Sequence, residues 1–233
     1  MTLALGTSGS KALWYLTRGT GVVTLLLLTT AVVLGIVTSV RWSSPRWPRF
    51  VLEWLHRNIS LVVLVFLAVH VATAVLDAFA PLRWLDAVVP FSSGYRPLWV
   101  GFGAVAFDLL VAVAVTSLLR VRIGYQTWRA VHWASYACWP LAVLHGSGTG
   151  SDTTQRWMLV IDAVAVALVA AAVFWRASVG WPSHAGARLT AFASAIVVPI
   201  ALAAWLVVGP LHPGWARTAG TPAQLLGSQG ARP

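Results

Sequence analysis

Polar residues punctuate this chain instead of forming one face of its helices. Six apolar runs of about 20 residues, near 19–40, 54–77, 97–119, 129–147, 156–175 and 188–208, alternate with short breaks holding Arg, Pro, Ser or Gly. Roughly 20 helical residues cross a hydrocarbon core of about 30 Å, and a helix satisfies its own backbone groups where no water is present. The pattern therefore predicts an all-α fold, an integral membrane six-helix bundle, over residues 19–208. Residues 1–18 form an N-terminal segment, and the Gly/Pro-rich 209–233 reads as a flexible tail without periodicity. The first run, "GVVTLLLLTTAVVLGIVTSV", holds no ionisable group and stops at "RWSSPRWPRF". It lacks a small-residue cleavage site behind a short apolar core, so it reads as a retained packing and anchoring helix. Between the second and third runs, "APLRWLDAVVPFSSGYRPLWV" has the Trp, Tyr and Pro content of an interfacial segment and is expected to carry a short helix on the outer surface.

Composition agrees: 58% of residues are hydrophobic, 9% are charged and the mean hydropathy is +0.78, which excludes an ordinary soluble domain. The net charge of +10 would point a soluble protein toward nucleic acid. Here the basic residues stand singly in short loops, so no nucleic-acid partner is expected and they are read as topology signals. Arg41, Arg46, Arg49, Arg57, Arg120, Arg122, Arg129, Arg176 and Arg188 fall on one side, against Arg83, Arg96 and Arg156 in the opposite internal loops. By the positive-inside rule the loops after the first, third and fifth helices face the cytoplasm, and both termini lie outside a plasma membrane. Counting the tails narrows the bias to nine against seven. The single cysteine, Cys138, allows no intramolecular disulfide and no Cys-based metal framework; it reads as a small core residue.

The candidate chemistry lies in four histidines. His56 and His70 are fourteen residues apart on the second helix, and His132 and His145 thirteen apart on the fourth. At a rise of about 1.5 Å per residue each pair sets one ring near each edge of the hydrocarbon. The two helices run in the same direction, so His56 and His132 share the cytoplasmic level and His70 and His145 the outer level. Fourteen residues rotate a helix about 1400°, within about 40° of whole turns, whereas thirteen miss by about 140°. Pro140 lies between His132 and His145, and the distortion that would bring them onto one face is expected there. Facing imidazoles at two levels suit the axial positions of two stacked b-type haems, with His56, His132, His70 and His145 as iron ligands. Arg57 and Arg129 lie near the inner pair and suit haem propionates. No C-x-x-C-H is present, so covalent haem attachment is excluded. Any one of these histidines reads equally as a hydrogen-bonded core residue; the argument rests on the paired spacing. Zinc is disfavoured because its ligands must converge, and these two levels are about 20 Å apart.

These histidines, with "WRAVHW" and "AVLHG" around the second pair, resemble the ferric reductase-like transmembrane domain. That superfamily includes NADPH oxidases, ferric-chelate reductases and the haem subunit of the periplasmic methionine sulfoxide reductase system. The resemblance covers roughly residues 20–175. It implies two b haems passing electrons across the membrane, the inner on His56 and His132 and the outer on His70 and His145. Oxidase members continue into a cytoplasmic FAD and NADPH domain, whereas this sequence shows no G-x-G-x-x-G. The expectation is an oxidoreductase membrane subunit fed by a separate donor, a flavoprotein reductase or a quinol. Its acceptor would be extracytoplasmic: ferric chelate, oxygen or a flavin-binding partner protein.

Asp108 and Asp162 are the carboxylates deepest in apolar runs, read as helix-to-helix pairs or as sites of proton transfer. Asp152 is expected to cap the fifth helix. Arg96 and Arg156 are candidates for outer propionates or for an anionic partner. Trp133 and Trp139 are candidates for packing on haem, and His184 and His212 are read as surface residues. The rival from another class is a haem-free transporter or assembly subunit in which these His and Asp residues handle protons or an ion.

Overall fold

In a computed structural model of the chain, residues 3–179 and 181–226 are described, with side chains from residue 11 on. Every long element is helical: α1 (Leu3–Ser39), α2 (Arg49–Leu76), α3 (Trp84–Val88), α4 (Pro97–Leu118), α5 (Arg120–Ile123), α6 (Tyr125–His132), α7 (Ser135–Thr149), α8 (Arg156–Ser178), α9 (Ala185–Val208), α10 (Trp215–Thr218) and α11 (Ala223–Leu226). Five stretches, Lys11–Ser39, Arg49–Leu76, Pro97–Leu118, Arg156–Ser178 and Ala185–Val208, are long and apolar enough to cross a membrane. The protein is a multi-pass, all-α membrane protein. Span hydroxyls fold back on their own helices, as Thr20 does to the Leu16 carbonyl at 2.6 Å and Thr24 to Thr20 at 2.7 Å, which satisfies these donors where water is absent.

The expected fourth span, 129–147, is not one helix. It breaks at Trp133 and Ala134 into α6 and α7, with i→i−3 bonds from the Ala134, Tyr136 and Ala137 amides to Val131, Trp133 and Ala134. Pro140 itself sits inside α7; the i→i−3 stretch ends about one turn before it and the break at Trp133 and Ala134 lies nearly two turns before it. The physical reason is that proline gives no N–H to the carbonyl four residues back, Tyr136, and its ring crowds that carbonyl. The tighter winding adds about 20° per residue over three or four residues, which removes roughly half of the 140° mismatch between His132 and His145. Cys138 is fully buried, with Sγ 3.6 Å from the Ala134 carbonyl.

The chain divides into two compact units. The first comprises Met1–Leu25, Leu64–Ser151 and Pro213–Pro233, and the second Leu26–Val63 and Asp152–His212. In the first, α4 packs along α7 and against α3 and α6. In the second, α8 packs on α9, with Phe174 and Phe192 ring centres 4.8 Å apart. The segment expected to be a flexible tail carries α10 and α11 within the first unit, where Ala219 and Thr221 are buried; residues 227–233 lie outside the described residues.

The interfacial connection contains the short helix expected of it. Asp86, 2% exposed, accepts from the Arg83 amide at 2.9 Å, the Arg83 guanidinium at 2.8 Å and the Ser92 hydroxyl at 2.9 Å. Around this polar knot Trp84, Leu85, Val88 and Phe91 are exposed, as a segment in the headgroup region requires. Arg83 beside it, with the amide and the hydroxyl, draws the Asp86 carboxyl down from 3.8 to about 2 against the opposing effect of burial. A depressed carboxyl stabilises α3 at every pH above about 4 and stops doing so as pH falls from about 4 through about 2. Amide hydrogen exchange at residues 83–89 should therefore stay protected from pH 7 to 4 and accelerate below, and Asp86→Asn should abolish that pH dependence.

Candidate functional site

Three of the four histidines are held in the same way. His70 Nδ1 is 2.9 Å from the Thr17 carbonyl of α1, His56 Nδ1 is 3.0 Å from the Ala31 carbonyl of α1, and His145 Nδ1 is 2.9 Å from the Trp99 carbonyl of α4. A carbonyl oxygen only accepts, so Nδ1 carries the proton and donates in each case. In the neutral imidazole the lone pair then resides on Nε2, the nitrogen left to bind a metal.

These carbonyls can be reached because of what stands one turn further on. The Cα–Cβ bond of a helical residue leans toward the helix N-terminus, so the Cβ of residue i+4 overhangs the carbonyl of residue i. At all three places that residue is glycine. A Cβ on Gly21 would come 3.0 Å from His70 Cε1, one on Gly35 would come 3.2 Å from His56 Cε1, and one on Gly103 would collide with the His145 ring. α1, expected only to pack and anchor, thus supplies two of the three acceptors.

In the first unit the ring centres of His70 and His145 are 6.3 Å apart, with their planes at 84°. A metal bound by two imidazoles at about 2 Å each, every ring centre about 1 Å behind its nitrogen, sets the centres about 6 Å apart. The plane-to-plane angle is free to vary about such an axis. Among the described residues no group of three or more His, Cys, Asp or Glu converges as a metal site. The donor set is a pair of imidazoles, which fits a metal whose other ligands come from a macrocycle.

His132 is held differently. Its ring lies against Trp128, centres 4.9 Å apart and planes at 30°. Toward the C-terminal end of α4, Thr116 and Ser117 return their hydroxyls to the Ala112 and Val113 carbonyls at 2.7 Å and 2.6 Å, and neither position is a glycine.

The remaining expected residues divide. Arg57 and Arg129 are exposed. Arg96 is 4% exposed and does not reach outward: Nε donates to Thr221 at 2.9 Å and an Nη to the Gly148 carbonyl at 2.9 Å, while its amide donates to the Gly220 carbonyl at 3.1 Å. It clasps the C-terminal segment to the ends of α4 and α7, and its expected propionate or partner contact gives way to that. Trp215, whose Nε1 donates to Gly148 at 3.2 Å and whose ring lies 5.1 Å from Trp99, belongs to the same clasp. Arg156 is exposed at the start of α8. Asp152 does not occupy the cap position expected of it, which falls to Gln155 without a side-chain bond. Trp139 is buried and Trp133 half exposed, 5.4 Å from Tyr136. Asp108 is half-buried. Asp162 is buried, and its Oδ2 has no hydrogen-bond partner among the described residues. His184 and His212 are exposed, as expected.

The geometry defines a class, a helical membrane protein in which two intramembrane imidazoles, His70 and His145, face each other with each Nδ1 committed to a helix carbonyl. Its family follows from sequence: the chain belongs to the ferric reductase like transmembrane component family, whose model matches residues 20–143. The match takes in Gly21, Gly35, His56, His70, Gly103 and His132 and ends two residues before His145. No curated protein and no solved structure matches the chain.

Arg96→Met should release the C-terminal clasp while leaving the spanning helices intact. Hydrogen bonds from a charged donor contribute about 1.5–3 kcal/mol, so tryptic cleavage at the exposed Arg217 should accelerate roughly 10- to 100-fold. Limited proteolysis followed by mass spectrometry reads this directly.

Proposed function

We propose that the protein is a di-haem b electron carrier that moves electrons across its membrane, from a cytoplasmic reductase or quinol to an extracytoplasmic acceptor. The observation that carries this reading is the His70–His145 pair: ring centres 6.3 Å apart, with both Nδ1 atoms donating to helix carbonyls. Family membership supports it independently, because ferric reductase-like transmembrane domains act in electron transfer.

His70 and His145 would hold the outer haem through Nε2. For a second, inner haem the reading names His56 and His132 from their sequence spacing, and the Nδ1 bond of His56 supports it. Haem would supply a centre that gains and loses one electron at low structural cost. The chain supplies the rest. The carbonyl bonds keep the proton on Nδ1 and stop the rings turning, so that ligand geometry is set before haem arrives and changes little with oxidation state. Apolar helix faces keep water from the iron. With His70 and His145 both holding the iron, an acceptor would meet the edge of the group and not the metal. Arg57 and Arg129, exposed and cationic, suit propionate contacts on the inner side. Ferric chelate, oxygen or the flavin of a partner protein are acceptors of the right chemistry.

A pyridine haemochrome assay on protein purified from haem-supplemented cells should give two b haems per chain. Either His70→Ala or His145→Ala should remove about half of that haem, because each alone empties the same site, while His184→Ala and His212→Ala should leave it unchanged. A colourless wild-type protein would falsify the proposal and return the histidines to a haem-free role.

A further inference from the structure

We propose that Gly21, Gly35 and Gly103 are positioning residues for the histidine ligands: each keeps a helix carbonyl open so that an imidazole Nδ1–H can dock on it. The inference rests on the haem reading for its redox consequence, but the docking is a property of the protein alone. Three independent occurrences carry it: Thr17 with Gly21 for His70, Ala31 with Gly35 for His56, and Trp99 with Gly103 for His145. In each the acceptor is residue i and the glycine is residue i+4, a position whose Cβ leans back over that oxygen. The carbonyl has two lone pairs, one for the helix amide and one for the imidazole; at Thr17 the Thr20 hydroxyl also approaches the oxygen at 3.3 Å, secondary to its 2.6 Å bond to Leu16.

The positions are graded. A methyl at Gly103 overlaps the His145 ring outright, one at Gly21 would stand 3.0 Å and 3.2 Å from two His70 atoms, and one at Gly35 would stand 3.2 Å and 3.7 Å from His56. Gly19 on α1 and Gly146 beside His145 have nothing within 4 Å of a Cβ, so they report what a helix glycine-to-alanine change does by itself. An imidazole that loses its Nδ1 acceptor is a weaker donor to iron, and outer-shell partners of this kind are worth about 10–100-fold in metal retention.

The test uses ¹⁵N-histidine solid-state NMR on the full chain in lipid, together with haem titration and potentiometry. In wild type, the Nδ1 of His56, His70 and His145 should be protonated. Gly103→Ala should convert His145 to mixed tautomers, weaken outer haem retention about 10–100-fold and raise the midpoint of any haem that remains. Gly21→Ala should do the same to His70 more mildly, Gly35→Ala should affect His56 least, and Gly19→Ala and Gly146→Ala should match wild type. Gly21→Ala keeps the test decisive should Gly103→Ala fail to fold. Unchanged His145 and His70 nitrogen shifts in Gly103→Ala and Gly21→Ala, or equal effects from the two control glycines, overturn the proposal. A colourless wild type whose nitrogen shifts still follow this order sinks the haem reading and leaves the docking intact.

Discussion

The bond from an imidazole Nδ1–H to a helix carbonyl is the constraint on which the paired-histidine site depends. A ring in a membrane helix has two nitrogens to satisfy and little solvent to satisfy them with. Committing Nδ1 to a backbone oxygen on a neighbouring helix settles one of them, fixes the tautomer and leaves Nε2 facing elsewhere. The same bond sets helix spacing, because a backbone oxygen is within an imidazole's reach only if the wall around it is low. Helix packing in membranes relies on small residues for that closeness, and here the small residue stands at a place where its missing Cβ exposes the acceptor. Ligand orientation and helix contact therefore come from one arrangement.

Apart from Asp108 and Asp162, the carboxylates lie toward the ends of the apolar spans or outside them, and two buried charged groups are tied down there. Asp86 is held by Arg83 and Ser92 in the connection before α4, and Arg96 is spent on Thr221 and Gly148 where α4 begins and α7 ends. Both are buried, both are fully engaged, and both fix short segments that have little apolar area of their own. The hydroxyls of Thr20, Thr24 and Thr73 inside the spans return to their own helix carbonyls. Against that background the Oδ2 of Asp162 is the exception among buried carboxylate oxygens.

What the sequence disclosed follows the range of the interactions concerned. Apolar run length is a local signal that lipid enforces strongly, so five spans were legible to within a few residues at most ends; α1 and α2 begin earlier because flanking residues such as Lys11 and Arg49 continue the helix beyond the apolar stretch. The break before α7 was legible as a distortion between the two histidines and misplaced by nearly two turns, since proline acts on the helix behind it. The histidines were legible as paired intervals. Their acceptors were not, because backbone carbonyls have no letter in the sequence. One trace existed: Gly21 and Gly35 stand fourteen apart, the same interval as His56 and His70. Arg96 misled because a cation in a loop looks available until its tertiary partners, 52 and 125 residues away, are known.

That shared interval also accounts for the different treatment of the fourth histidine. Two antiparallel α-helices keep a common register only when both wind at the same pitch, so equal spacings on α1 and α2 let each histidine find the same carbonyl-and-glycine pair. On α7 and α6 the winding tightens between His145 and His132, and the interval drops to thirteen. α4 is regular over the corresponding stretch, so a second pair at a matching interval would not stay on the face that carries Trp99 and Gly103. The sequence has no glycine there. Thr116 closes the Ala112 carbonyl from its own helix, and His132 lies against Trp128, a contact made within a single turn of α6 that no register shift can break.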